Sequence, residues 1–275
     1  MIREIVRAIC PTPLKEVIKA TILRFSLGSY RFRLSISAVH RPHYAHLIFN
    51  AAQLASRLGY SKISVIEYGV AGGNGLISLE DHACEVEKLF PVKIEIYGFD
   101  TGKGLPAPKD YRDLPYHWKE GFFQIEEEKL RRKLKRAKLV LGEIEKTSKT
   151  FFEDYEPAPI GAIVHDFDFY SSTAAALRML NADEKFFLPR VFCYFDDTIG
   201  DEIPLYNDFT GQRLAINEFN RETEAIKLCI PYYFMLGKYP PRPWHHQIWI
   251  CHFFKHSKYN TFVSLENQQL KLHET

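Results

Sequence analysis

The stretch Lys62-Ile-Ser-Val-Ile-Glu-Tyr-Gly-Val-Ala-Gly-Gly-Asn-Gly75 decides the fold. It opens with a short run rich in β-branched residues, as a buried strand requires. Four glycines follow, and apolar residues then recur at helical spacing, at Leu76, Leu79, Ala83, Val86 and Phe90. A glycine turn between a strand and a helix lets the backbone and its free N–H groups approach a ligand. The alternative is a plain turn with extra glycine, but the acid before the turn favours a cofactor loop.

The spacing of these glycines is not that of a dinucleotide site. Such a site needs G-x-G-x-x-G, and no glycine here has partners at both +2 and +5. The pattern is E-x-G-x-x-G-G-x-G, which resembles motif I of class I S-adenosylmethionine (SAM) methyltransferases. The resemblance implies that the motif binds SAM through Glu67, Gly69, Gly72, Gly73 and Gly75. A NAD(P) oxidoreductase is therefore a weaker hypothesis.

Two further strands are predicted to contribute to the cofactor site. Residues 92–100 alternate like a strand and end in Asp100, whose carboxylate can accept hydrogen bonds from both ribose hydroxyls. Residues 138–142 form the next predicted strand. In the fold that the resemblance implies, the residues that follow it frame the adenine, here Gly142, Glu143 and Ile144.

The whole chain alternates strands with helices, which predicts a mostly parallel sheet covered on both faces. We expect a Rossmann-like class I methyltransferase fold with seven strands, in a domain over residues 59–275 after a helical extension over 1–58. Within the extension we predict helices over 2–9 and 14–25, an extended segment over 30–40 and a helix over 42–57. Later predictions include a helix over 148–153, a helix over 173–180 capped by Ser171-Ser172-Thr173, and a strand over 225–234.

Four aspartates end two neighbouring predicted strands: Asp166 and Asp168 follow one strand, and Asp196 and Asp197 follow the next. Ligands of open α/β sheets bind at the carboxyl ends of strands, so we expect these side chains to converge beside the cofactor. Clustered carboxylates repel one another unless a positive charge lies among them, and Mg²⁺ prefers oxygen ligands. The alternative is that Asp166 or Asp168 caps a helix and that Asp197 is exposed in a loop.

A closer resemblance rests on three segments, Tyr97-Gly-Phe-Asp-Thr-Gly-Lys-Gly-Leu-Pro106, His165-Asp-Phe-Asp-Phe-Tyr-Ser-Ser-Thr173 and Asp196-Asp197. They look like the macrocin O-methyltransferase (TylF-like) family, whose members use SAM and Mg²⁺ to methylate hydroxyls of sugars or polyketide-derived compounds. The resemblance implies that Asp166, Asp196 and Asp197 bind the metal and that Asp168 is the base. The long loop over 101–121 carries Tyr111, Tyr116 and Trp118, which we expect to cover the acceptor.

Charge and composition limit the other functions. The net charge is +2, so no overall field recruits nucleic acid, although residues 1–60 hold nine Lys and Arg against two Glu. This basic arm is typical of solvated helix faces, which we favour; it could also dock on an acidic neighbour, on a second subunit of a homo-oligomer or on a membrane surface. A non-catalytic SAM-binding module that acts on a protein partner through this arm is the alternative function. No apolar stretch is long enough for a membrane span, no signal peptide is evident, and the five cysteines lack C-x-x-C. The cytoplasm is therefore the expected location.

Overall fold

Seven strands form one sheet in the computed structural model, which describes residues 12–235 and 242–264. In chain order they are β1 (Lys62–Tyr68), β2 (Lys93–Asp100), β3 (Lys138–Leu141), β4 (Ile160–His165), β5 (Phe187–Phe195), β6 (Ile226–Cys229) and β7 (Ile248–Phe253). The order across the sheet is β3-β2-β1-β4-β5-β7-β6. The first five strands are parallel, and β7 runs antiparallel to both β5 and β6.

The register of the parallel strands aligns their carboxyl ends. Tyr68, the last residue of β1, pairs with Phe99 on one side and His165 on the other. His165 in turn pairs with Phe195, the last residue of β5. The residues that follow these four strand ends therefore emerge side by side along one edge of the sheet, where a ligand is expected.

Helices cover both faces of this sheet. The described helices are α1 (Thr12–Phe25), α2 (Tyr30–Ser35), α3 (Pro42–Arg57), α4 (Asn74–Glu87), α5 (Glu127–Lys133), α6 (Ile144–Tyr155), α7 (Tyr170–Arg178) and α8 (Gly211–Glu222). Apolar side chains of α3 and α4 pack into one buried cluster with the sheet, and those of α6, α7 and α8 pack into a second. This arrangement confirms the predicted α/β class, the seven strands and the helices on both faces.

Several predicted element boundaries are wrong. Residues 30–35 form α2 and are not extended, because the Ser29 side chain accepts a hydrogen bond from the Phe32 N–H and caps the helix. The predicted strand over 225–234 shortens to β6, since Pro231 has no N–H for a ladder. The predicted helix over 148–153 is longer and corresponds to α6.

The predicted serine cap of the helix after β4 is also wrong. The helix begins at Tyr170, and its N-cap residue Phe169 makes no side-chain cap. Ser171 instead donates from its N–H and its hydroxyl to Asp113, a buried residue of the loop after β2. This pair of hydrogen bonds attaches that loop to the start of α7.

The predicted helix over 2–9 lies outside the described residues, and the division at residues 58 and 59 stays a prediction. In the part of the chain that is described, none of the helices combines the length and apolar character needed to cross a membrane.

Candidate active site

The glycine turn after β1 packs directly on the end of β4. Gly69 has φ of +80° and donates its N–H to the Phe99 carbonyl of β2. A methyl group at Gly69 would lie 1.9 Å from the Asp166 carbonyl oxygen, so no larger residue fits at this position. The turn and the first predicted metal ligand are therefore held in contact through their backbones.

Asp100 supports the glycine turn from the neighbouring strand. Its Oδ2 accepts hydrogen bonds from the N–H groups of Val70 (2.9 Å) and Ala71 (3.1 Å), and its Oδ1 accepts from Gly102 (2.7 Å). The carboxylate also lines the cavity beside the turn. Because each carboxylate oxygen has two lone pairs, Asp100 keeps acceptor capacity for a ligand hydroxyl.

A cavity of about 670 Å³ opens along this edge of the sheet. It is bounded by the residues at the ends of the five parallel strands and by the loop after β2, and its volume is ordinary for a small-molecule site. The residues predicted for the site that line it are Gly69, Asp100, Gly142, Glu143, Ile144, Asp166, Asp168, Asp196 and Asp197. One cavity thus brings five of the nine cofactor candidates and the four aspartates together.

The other residues predicted to bind the cofactor do not line this cavity. Gly72, Gly73 and Gly75 belong to the turn and the first turn of α4, where the space beside Gly73 is filled by Leu130. Glu67 lies behind the turn and is 2% exposed. In this structure these four residues lie within or beneath the glycine turn, and they pack against their neighbours there.

Glu67 is a buried carboxyl held by α3. The Tyr44 hydroxyl donates to its Oε1 at 2.7 Å, while its Oε2 is buried without a partner among the described residues. A methyl group at Gly75 would lie 1.7 Å from Oε1, so the carboxyl fills the space that this glycine leaves. Burial raises the pKa of Glu67 to about 8.

Three aspartates form a potential metal-binding group at the ends of β4 and β5. One carboxylate oxygen from each of Asp166, Asp196 and Asp197 lies within 4.8 Å of the others. Burial, followed by the charges of neighbouring aspartates, raises the pKa of Asp166 and of Asp197 well above the usual range. The same two causes raise the pKa of Asp168 to about 8. The alternative of separate capping and exposed aspartates is therefore wrong, because the four side chains share one cavity.

The hydrogen bonds of the cluster suit a divalent cation. The Tyr194 hydroxyl donates to Asp196 Oδ1 at 2.5 Å, and the Tyr206 hydroxyl donates to Asp197 Oδ1 at 2.6 Å. Asp197 Oδ2 is buried and has no partner among the described residues. A buried oxygen without a hydrogen-bond partner calls for a ligand. The oxygens of three neighbouring carboxylates are the kind of ligand that Mg²⁺ prefers.

The loop after β2 covers the cavity with only part of the predicted aromatic wall. Trp118 lines the cavity, together with Phe123. Tyr111 and Tyr116 are 69% and 62% exposed and do not line it. The Tyr116 hydroxyl instead donates to the Pro204 carbonyl, which ties this loop to the one after β5. Tyr111 and Tyr116 therefore lie outside the wall of this cavity, and their role in covering the acceptor stays a prediction.

Two tyrosines at the acid cluster were not predicted from the sequence. Tyr194 could have been found, because it lies two residues before Asp196 on a strand, and such residues share a face. Tyr206 comes from a loop, and no sequence pattern relates it to Asp197.

The sheet order, the glycine turn and the position of the cavity define a class I methyltransferase fold. No protein-family model and no curated protein matches the sequence of this chain. The chain is similar to the crystal structure of CalS11, a calicheamicin methyltransferase, with a TM-score of 0.52 and 17% identity over 90% of this chain and 96% of that one.

Two other solved structures are more distant. An apo structure of CalS11, described as a TDP-rhamnose 3'-O-methyltransferase, has a TM-score of 0.43 and 16% identity, covering 90% of this chain and 98% of its own. The methyltransferase PaMTH1 of Podospora anserina, solved with S-adenosylhomocysteine (SAH), has a TM-score of 0.43 and 16% identity, covering 89% and 88%.

Proposed function

We propose that this protein is a SAM-dependent O-methyltransferase that acts on a hydroxyl of a small metabolite of the sugar or polyketide kind. The observation that carries the proposal is the shared cavity, in which Gly69 and Asp100 lie beside four aspartates from two strand ends. The fold likeness to a methyltransferase supports it. A cavity with acids opposite a cofactor turn suits a reaction that removes a proton while a methyl group arrives.

Each group of residues has a role in this proposal. The backbone of the Gly69 turn and the Asp100 carboxylate would hold SAM, and the residues after β3 would surround its adenine. When bound there, SAM would supply an activated methyl group for transfer to the acceptor oxygen, with SAH as the product. Correct placement of the two reactants supplies much of the rate in such a displacement.

The acids would prepare the acceptor hydroxyl. Asp166, Asp196 and Asp197 would hold a divalent cation, which when bound supplies positive charge that favours loss of the hydroxyl proton. Asp168 lines the same cavity and would accept that proton. Trp118 and Phe123 would shield the acceptor from water.

The test combines acceptor screening with a change of the proposed base. SAH release is measured with Mg²⁺ over a panel of hydroxylated glycosides and polyketides, first with the native protein and then with Asp168→Asn. We expect the variant to lose turnover by roughly 10²–10⁴-fold, the contribution of a general base, while calorimetry gives an unchanged SAM affinity. Full turnover in the variant would remove Asp168 from this role.

A further inference from the structure

A buried glutamine joins the ends of the two acid-bearing strands. Gln212, on α8, is fully buried. Its Oε1 accepts a hydrogen bond from the Asp197 N–H at 2.9 Å. Its Nε2 donates to the carbonyl oxygens of His165 (3.0 Å) and Phe167 (2.9 Å), the two residues that flank Asp166. One amide group thus holds the backbone around Asp166 and Asp197 together.

A second glutamine bonds Asp196, the third aspartate of the potential metal-binding group. Gln247 directly precedes β7, is 8% exposed, and donates from Nε2 to the Asp196 carbonyl oxygen at 2.5 Å. The pairing of β5 with β7 ends at Tyr194 and Ile248. The Gln247 side chain therefore continues the hydrogen bonding beyond the last backbone pair, because it bonds the carbonyl of Asp196, the first residue after β5.

We propose that Gln212 and Gln247 are positioning residues that set the separation of the three carboxylates for a divalent cation. This inference rests on the metal site of the proposed function. Parallel strand ends are joined by backbone hydrogen bonds only as far as the ladder extends, and the aspartates lie just beyond it. The neutral amide suits the task, because it offers a donor and an acceptor without adding charge to an acidic cluster. Neither glutamine lines the cavity, so neither would touch the substrate.

The chemistry of the contacts predicts what a substitution would do. Methionine matches the length of glutamine but has no N–H donor and only a weak acceptor. In Gln212→Met the Asp197 N–H and the carbonyl oxygens of His165 and Phe167 would lose their hydrogen bonds to the glutamine amide, a loss that favours local rearrangement. The strand ends would separate, and the carboxylate oxygens would no longer meet at one point.

The experiment measures Mn²⁺ binding by electron paramagnetic resonance, with SAM binding measured by calorimetry on the same samples. We expect Gln212→Met and Gln247→Met each to weaken Mn²⁺ binding by roughly 10–100-fold, as substitutions behind metal ligands do. SAM affinity stays close to that of the native protein, because the Gly69 turn and Asp100 are unchanged. Native Mn²⁺ affinity in both variants would overturn the proposal.

A matched control lies on the same helix. The Asn220 side chain accepts from the Leu228 N–H and donates to the Leu228 carbonyl, both at 2.8 Å, away from the acids. Asn220→Leu removes a similar backbone bridge, so it should lower thermal stability to a comparable extent and leave Mn²⁺ binding unchanged. Equal loss of Mn²⁺ affinity in Asn220→Leu would make the effect one of general stability and contradict the proposal.

The outcomes separate this inference from the proposed function. If the native protein binds Mn²⁺ and both glutamine variants bind it equally well, only the positioning role fails. If the native protein binds SAM but no Mn²⁺, the metal site itself fails and the positioning role fails with it. Should Gln212→Met not fold, Gln247→Met carries the test alone, because it loses a single hydrogen bond.

Discussion

Gly69 and Asp166 are in direct contact, since a methyl group on the glycine would lie 1.9 Å from the carbonyl oxygen of the aspartate. This contact joins the proposed SAM turn to the proposed metal site without an intervening side chain. Any residue larger than glycine must push the turn away from the end of β4. The Asp166 N–H also donates to the carbonyl of Tyr68, the residue before Gly69, so the two halves of the proposed reaction are joined through their backbones.

Gly69→Ala is expected to damage both stability and cofactor binding. The clash with Asp166 and the φ of +80° together should cost at least about 2 kcal/mol of unfolding free energy. Urea unfolding and calorimetry with SAM measure the two effects. The matched control is Gly72→Ala, where a methyl group meets only the Asn74 side chain at 3.9 Å. A Gly69→Ala variant as stable as Gly72→Ala would contradict the packing described here.

Asp100→Asn is expected to weaken SAM binding. The two carboxylate oxygens of Asp100 accept from the N–H groups of Val70, Ala71 and Gly102. Asparagine has one acceptor oxygen and an NH₂ group that can only donate, so at least one of these hydrogen bonds is lost. We expect at least about a tenfold loss of SAM affinity by calorimetry, the equivalent of one charge-assisted hydrogen bond. The control is Asp183→Asn. The native Asp183 carboxylate also accepts a hydrogen bond from a backbone N–H, that of Lys185, but Asp183 does not line the cavity. An unchanged SAM affinity in Asp100→Asn would remove this residue from the cofactor site.

Glu67 is expected to make the stability of the fold dependent on pH. Burial raises the pKa of Glu67 from its ordinary value of 4.5 to about 8. Between these values the folded chain keeps a proton that the unfolded chain has lost, so the unfolding free energy should fall as pH rises from about 5 to 8. Gln at this position cannot ionise. We therefore expect Glu67→Gln to make this decline shallower in urea unfolding at several pH values, while Asp166, Asp168 and Asp197, whose pKa values burial also raises, keep the rest of it.

The control for this prediction is Glu202→Gln, which replaces an exposed carboxyl in the loop after β5. It should leave the pH dependence of the native protein in place. A slope in Glu67→Gln equal to that of the native protein would show that the Glu67 carboxyl does not contribute to the pH dependence.

Asp197→Asn is expected to change stability in opposite directions with and without metal. In the absence of Mg²⁺ the variant should be more stable than the native protein, because one of the mutually repelling acids is gone. Saturating Mg²⁺ at a hundred times Kd should stabilise the native protein by about 2.7 kcal/mol, and EDTA should reverse the gain. Asp197→Asn should show little gain, whereas the exposed Asp201→Asn should respond like the native protein. Equal responses in all three would contradict a metal site at Asp197.

Much of the fold could be predicted because strands and helices alternate with clear apolar periodicity. The convergence of Asp166 and Asp196 also followed from sequence, since parallel strands end at one edge of a sheet. The true position of Glu67 did not, because its burial depends on Tyr44 of a helix that precedes β1. A motif places an acid near a turn, but only packing decides whether it faces the ligand or the core.

The contacts that hold the acid cluster were beyond sequence patterns for a related reason. Gln212 and Gln247 come from α8 and from the turn before β7, far along the chain from Asp166. A lone glutamine carries no periodic signal, and its amide bonds backbone groups that any residue has. Similarly, the exposure of Tyr111 and Tyr116 depends on how the long loop after β2 attaches to α7 through Asp113.

Calorimetric titration of the native protein with SAM and with SAH, with and without Mg²⁺, tests the central claim most directly. That claim is that the cavity between the Gly69 turn and the four aspartates is a methyl-transfer site. It predicts saturable binding of both compounds and a separate, saturable heat for Mg²⁺. Absence of binding by SAM and SAH, together with saturable binding of NADH, would contradict it.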